Sequence, residues 1–327
     1  MKIILKNLAY AAIAAGLSIS VFGTQASEIK VGTGSEMGSY FGMTKDIERY
    51  CSSELTKDTL TVMTSGGAVD NLLGLGKKKY SMGDVQEDVL NFHAKRSPRK
   101  INQKRIKVIT PMHVEAMHLL IPKGYKPAGK NLSFFESLSE KISGGGDQPV
   151  KIDIGLLKDQ KVGAWGGSIV SGQALSFFFD LNVDVVEINQ GDTGNMPIII
   201  VAGYPSKVVE AYLATGKYIL VSIDHAKVAQ RADFYTNETV NYSVNGRMVN
   251  VPTIGVRALL VGKSFRKKSR NLGASELATC ITNNLADMAD DPDTSPNWSS
   301  VFEYVDDEGQ VGWDYFPLIE DKLWGEE

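Results

Sequence analysis

A chain of 327 residues, 43% hydrophobic and 22% charged, is long enough to bury two cores rather than one. Its formal charge of −3 argues against nucleic acid as a partner. Two cysteines and four scattered histidines, with no CxxC or HExxH spacing, point to no metal centre and no cofactor.

The chain opens with Lys2 and Lys6, then an apolar run from Leu8 to Phe22 that ends in Gly23-Thr24-Gln25-Ala26. The run is shorter than the ~20 residues that span a bilayer and finishes in small residues, so a secretory signal peptide is predicted over residues 1–26. Cleavage after Ala26 removes two lysines and moves the charge from −3 to about −5. No second apolar run reaches membrane length. In an exported protein Cys51 and Cys280 are able to form a disulfide, but sequence does not say whether they meet.

Strand-like and helix-like segments then alternate. Glu28–Thr33 reads as a strand, Met43–Glu54 as a helix, Leu60–Thr64 as a strand and Ala68–Leu75 as a helix. Tyr80–Met82 reads as a short strand before a helix over Val85–Ala94, followed by strands at Ile106–Met112 and Ala116–Pro122. The basic stretch from Arg96 to Lys107 has no aromatic interleaving and reads as a solvated edge. A Gly/Pro/Ser-rich zone from Pro122 to Pro149, with Gly144-Gly145-Gly146, reads as a surface insertion. Alternation resumes with Gln160–Trp165, Ser171–Leu181, Val183–Asn189, Pro197–Val201, Ser206–Thr215 and Tyr218–Ile223. A long apolar segment, Val251–Val261, and one terminal helix, Glu276–Ala289, complete the chain. The order predicts an α/β fold with mainly parallel sheets in two lobes, joined by a hinge of extended segments. The expected division is lobe 1 over 27–118, lobe 2 over 119–251, and a return to lobe 1 over 252–327 with its C-terminal helices.

Three loops share one design: Gly32 to Tyr40, Thr64 to Asn71, and Trp165 to Gly172. Each places Gly and Ser between a strand and the start of a helix. The first turn of a helix offers unpaired N–H groups and a partial positive charge, which suits a carboxylate or phosphate. One such loop is commonly a plain helix cap; three of them, in two lobes, favour an anion held in a cleft. Competing motifs fail on spacing. Gly32, Gly34 and Gly38 miss the dinucleotide fingerprint by one residue, Met43-Thr44-Lys45 is no phosphate loop, and Gly166-Gly167-Ser168-Ile169-Val170 lacks the second glycine of a hydrolase elbow. No catalytic residue is assigned.

These motifs together resemble the TAXI-type solute receptors of tripartite ATP-independent periplasmic (TRAP) transporters. Gly32 to Tyr40 matches G-T-G-S-x-x-G-x-Y, Thr64 to Asn71 is similar to T-x-G-S-V-x-N, Val85 to Val89 to V-Q-x-D-V, and His113 to Leu120 to P/Y-x-E-x-x-H-L-L. The chain departs from the pattern at Ala68, at Ile169 and over Ile198 to Pro205. The resemblance implies a bilobed periplasmic binding protein of type II, in the periplasm, monomeric and not an enzyme. It implies a small carboxylate ligand such as glutamate, glutamine or 2-oxoglutarate, and transfer of that solute to the two integral membrane subunits of a TRAP permease. A sensing subunit with a signalling partner is the alternative, and an exported enzyme a more distant one.

Expected ligand contacts are Gly34 and Ser35 at one carboxylate end, then Ser65, Gly67 and Gln86, and from the second lobe Ser168, Ser171, Gly172, Gln173 and Tyr204. Tyr40 is compatible with closing over ligand or packing in the core. Glu115 requires a partner beside its apolar strand, either a ligand ammonium or a structural ion pair. Asn71 is expected to fasten its loop, and His118 to be a satisfied core histidine.

Overall fold

The computed structural model describes residues 27–126, 151–244 and 246–323. The expected signal peptide, and the 122–149 insertion beyond residue 126, lie outside the described residues. The first elements are β1 (Ser27–Gly32), α1 (Ser39–Cys51), β2 (Asp58–Met63), α2 (Ala68–Lys77), β3 (Met82–Gln86) and α3 (Glu87–Arg96). A long strand follows, β4 (Ile106–Pro122). Beyond it come β5 (Lys151–Ile152), β6 (Lys161–Ala164), α4 (Gly167–Phe179), β7 (Asp184–Glu187), β8 (Ile198–Ala202), α5 (Lys207–Ala214), β9 (Tyr218–Ile223) and α6 (His225–Ala229). The hairpin β10 (Tyr235–Val244) and β11 (Arg247–Lys263) leads into α7 (Leu272–Asn283), α8 (Leu285–Asp290) and α9 (Asn297–Asp306).

The sheet order shows why two lobes form. On one side it runs β2-β1-β3-β11-β4, with β1 parallel to β2 and β3, and β11 antiparallel to β3 and β4. On the other it runs β7-β6-β8-β4-β9, with β6 parallel to β7 and β8, and β4 antiparallel to β8 and β9. Each half is three parallel strands completed by a long strand that also serves the other half. This is the α/β architecture of two lobes joined by extended crossings, the type II binding-protein arrangement.

Two segments read as separate strands, Ile106–Met112 and Ala116–Pro122, are one strand of 17 residues. Nearly all of β4 is buried, so no turn is needed between its apolar halves. Pro111, which has no N–H to donate, sits opposite Leu259 where the β4–β11 register shifts. The hairpin strand β10 and the helix α9 were not expected. In β10 the signal is alternation at its far end, with Val240 and Tyr242 buried on one face and polar residues between them, while Tyr235 is buried on the opposite face.

Each half has its own core. Ile29, Met43, Ile47 and Met82 pack with Leu277, Trp298 and Val301, which brings the C-terminal helices onto the β1–β3 layer. Ile152, Val162, Leu175, Phe178, Ile199 and Val221 form the core on the other side. Cys51 and Cys280 are bridged, with Cα atoms 5.8 Å apart, so the end of α1 is tied to α7. Gly32 is the tightest point beneath the first loop: a Cβ there would lie 2.5 Å from Asn71 Oδ1 and 2.7 Å from the Tyr80 ring. Gly32→Ala is therefore expected to destabilise the fold by about 1–3 kcal/mol, read as a lower denaturation midpoint with unchanged slope.

Candidate functional site

The carboxyl ends of β1 and β3 deliver their loops to the seam between the two halves. The first loop is anchored from below. Asn71 Nδ2 donates to the carbonyls of Thr33 (2.6 Å) and Asp84 (2.8 Å), which ties α2 to β1 and β3. Ser65 Oγ donates to the Thr33 carbonyl at 3.0 Å and accepts from Gly67 N at 3.0 Å. The hydroxyl of Ser65 and the N–H of Gly67 are thus spent on the loop itself. Gly67 and Gly166 both take positive φ (86° and 53°) at the N-caps of α2 and α4, and no side chain caps either helix. Gly34 is half-buried and Ser35 exposed, at the mouth of the first loop.

Behind that mouth lies a cluster of buried polar groups. Gln86 is the N-cap of α3, yet its side chain makes no cap bond; Nε2 donates instead to Glu115 Oε2 at 2.5 Å. Tyr40 packs edge-on against His113, with ring centroids 5.6 Å apart. His113 Nε2 stands 3.7 Å from Glu115 Oε1, too far for a hydrogen bond. Asp84 accepts from Thr44 Oγ1 at 3.0 Å through one oxygen. Asp88 is reached from the other half of the molecule by Tyr235 OH at 3.4 Å, and the Ser171 hydroxyl faces it.

The two halves meet here. A Cβ on Gly167, in α4, would lie 3.6 Å from Gln86 Nε2, and one on Gly203, after β8, 3.6 Å from Ser39 Oγ. Among the described residues, Asp84 Oδ1, Gln86 Oε1 and both His113 ring nitrogens are buried with no hydrogen-bond partner in the protein, and Tyr40 OH beside Glu115 and Ser171 Oγ beside Asp88 are buried without a well-formed hydrogen bond. Buried polar groups are normally paired, so a concentration of unpaired ones at one seam marks a place where something else is bound.

Burial sets the charge states. It pushes Glu115 up to about 7, against the lowering effect of the Gln86 hydrogen bond. It raises Glu87 to about 7 and Asp88 to about 6, and lifts Asp84 well above the usual carboxylate range. It lowers His113 and His118 to about 4, so both are neutral near pH 7. The nearby cation, Arg257, donates to the Met112 carbonyl at 2.8 Å and stacks 3.5 Å over Tyr304, which commits it to the scaffold. The seam is rich in acceptors and holds its acids part-protonated at neutral pH.

A carboxyl raised in the folded state favours folding while protonated and loses that contribution as pH rises through its folded value. Buried histidines act in the opposite sense between about 4 and 6.5, so the wild-type profile mixes both. Comparison with a single variant isolates Glu115. Glu115→Gln is expected to gain about 2 kcal/mol over the wild type between pH 5 and 8, measured by urea unfolding at both pH values; a constant difference would refute the assignment.

Of the expected contacts, the structure brings Tyr40, Gln86, Glu115 and Ser171 together at the seam, with Gly34 and Ser35 at the loop mouth. Ser168 lies at the start of α4 with its hydroxyl accepting from Val201 N at 2.9 Å. Gly172 faces Val185 and Ile199 in the core, and Gln173 is exposed. Tyr204 is 41% exposed, packs on Tyr242 and donates to the Asn241 carbonyl at 2.7 Å, so its phenol turns away from the seam. His118 is a satisfied core residue, bonded to Ile200 O and Tyr242 OH. Asp84, His113, Ser39 and Gly203 were not singled out as contacts. A carboxylate inside an otherwise buried strand, Met82-Gly83-Asp84-Val85-Gln86, was the available signal for the first.

No protein-family model and no curated protein sequence matches the chain. Solved structures do resemble it in part. One is a histidine kinase sensor domain with similarity to periplasmic binding proteins, at 10% identity, TM-score 0.45, covering 89% of this chain and 99% of that one. The periplasmic binding protein BugD gives 9% identity and TM-score 0.44, covering 85% and 86%. A TctC solute-binding protein from Polaromonas gives 12% identity and TM-score 0.40, covering 88% and 99%. The fold assignment rests on the strand order described above.

Proposed function

We propose that the protein is a periplasmic solute receptor that holds a small amino-acid-like carboxylate between its lobes and delivers it, chemically unchanged, to a TRAP-type permease. The observation that carries this reading is the set of buried polar groups left with unsatisfied hydrogen-bonding capacity on both sides of the seam, Tyr40, Gln86 and His113 from one and Ser171 from the other. In this reading the solute carboxylate lies toward Gly34, Ser35 and the uncapped start of α4, where backbone N–H groups and the helix dipole favour an anion. Glu115, fixed by Gln86, accepts from the solute's ammonium. Ser168 supports the second lobe's side, and Ser65 and Gly67 act by shaping the loop. Solute contacts from both lobes favour the closed arrangement, which the permease reads.

Native mass spectrometry of freshly purified protein is the test. The expected result is a retained solute of small mass, with L-glutamate, L-glutamine or 2-oxoglutarate raising the melting temperature after it is removed. Conversion of a candidate to product, or stabilisation by none of them, would refute the proposal.

A further inference from the structure

The end of the first lobe opposite the seam has a different character. Gly262 pairs with Met82 of β3 on one side and with Lys107 of β4 on the other, so three turns meet at the amino ends of β3 and β4 and the carboxyl end of β11. Residues 77–79, 99–107 and 263–270 carry three, five and five Lys or Arg respectively, and no Asp or Glu, in a chain whose net charge is −3. The last two segments are also joined directly, Ser264 N donating to the Arg105 carbonyl at 2.6 Å.

These cations are not used up internally. Among the described residues their acidic partners are Asp70, 2.9 Å from Lys79, and Asp314, 3.8 Å from Lys107. The acids that begin the neighbouring strands are Glu28, paired with Lys30, and Asp58. Nearly all the basic side chains are exposed, including Arg266, Lys267 and Lys268 in a row. Like charges held this close repel one another, and an anionic partner relieves that repulsion.

We propose that this end of the lobe is a docking face for an anionic phospholipid bilayer. A protein partner calls for a desolvated aromatic or aliphatic anchor at the centre of the contact. The patch has none: no exposed large hydrophobic residue falls in the three segments, and the Phe265 ring is covered by the Arg270 guanidinium at 3.8 Å. Charge spread over several exposed turns matches a plane of phosphate headgroups, where each Lys or Arg adds to attraction within a Debye length. The seam cluster lies at the carboxyl ends of β1 and β3, so a receptor resting on this face keeps its solute site clear of the lipid.

The test is sedimentation of the exported protein with vesicles of phosphatidylcholine alone or mixed with phosphatidylglycerol. Binding is expected only to the mixed vesicles, and to fall more than about tenfold between low and high salt. Two charge-reversed variants, Arg266→Glu/Lys267→Glu/Lys268→Glu and Lys100→Glu/Lys104→Glu, are each expected to bind about tenfold more weakly, with unchanged melting temperature and solute binding. Equal binding to both vesicle types, absence of binding at low salt, or full binding by both correctly folded variants would overturn the proposal. In the second case an acidic protein partner or a merely solvated surface accounts for the patch.

Discussion

Loss of the Cys51–Cys280 bridge is expected to lower stability by about 2–5 kcal/mol. The bridge spans 229 residues of sequence and joins α1 to α7, so it closes most of the chain into one loop. Without it the denatured chain regains that freedom, while the packing of Trp298 and Val301 against Met43 and Ile47 remains to hold the C-terminal helices. A drop in melting temperature of roughly 5–15 °C is expected for the reduced protein or for Cys51→Ser/Cys280→Ser. An unchanged midpoint would mean that the noncovalent contacts alone fix α7.

Gln86→Ala and Glu115→Gln are each expected to weaken solute binding by about 10–100-fold, since hydrogen bonds to charged groups contribute about 1.5–3 kcal/mol. The two variants act differently. Gln86→Ala removes the amide that orients Glu115 at 2.5 Å, whereas Glu115→Gln keeps the shape and removes the charge that accepts an ammonium. A solute lacking the amine is expected to be much less sensitive to Glu115→Gln. The check is titration calorimetry with the solute found by native mass spectrometry, an amino acid beside its 2-oxo analogue. Equal losses for both would place the amine elsewhere.

Local signals carried much of the fold. The β1–α1–β2–α2 succession was legible because its apolar periods are clean and each Gly/Ser loop lies between strand and helix. The long strands were only half legible, because Pro111 and the polar residues His113 and Glu115 interrupt the apolar run, and only pairing with β11 shows that the chain continues straight. At the seam, Tyr40, Gln86 and Glu115 were legible through the motif resemblance. The spending of the Ser65 hydroxyl on Thr33 O and Gly67 N was not, since a loop hydroxyl gives no hint in sequence of which neighbour claims it. Likewise Gly203 meets Ser39 only through the crossing of β4 and β8, contacts more than 150 residues apart in sequence.

The measurement that bears most directly on a solute held between the lobes takes one group from each side. Tyr40→Phe and Ser171→Ala each delete a buried hydroxyl that makes no well-formed hydrogen bond within the protein. Calorimetric titration of the copurified solute is predicted to show both variants weakened by at least about tenfold, with melting temperatures in the solute-free state unchanged. Wild-type affinity in both would contradict the account.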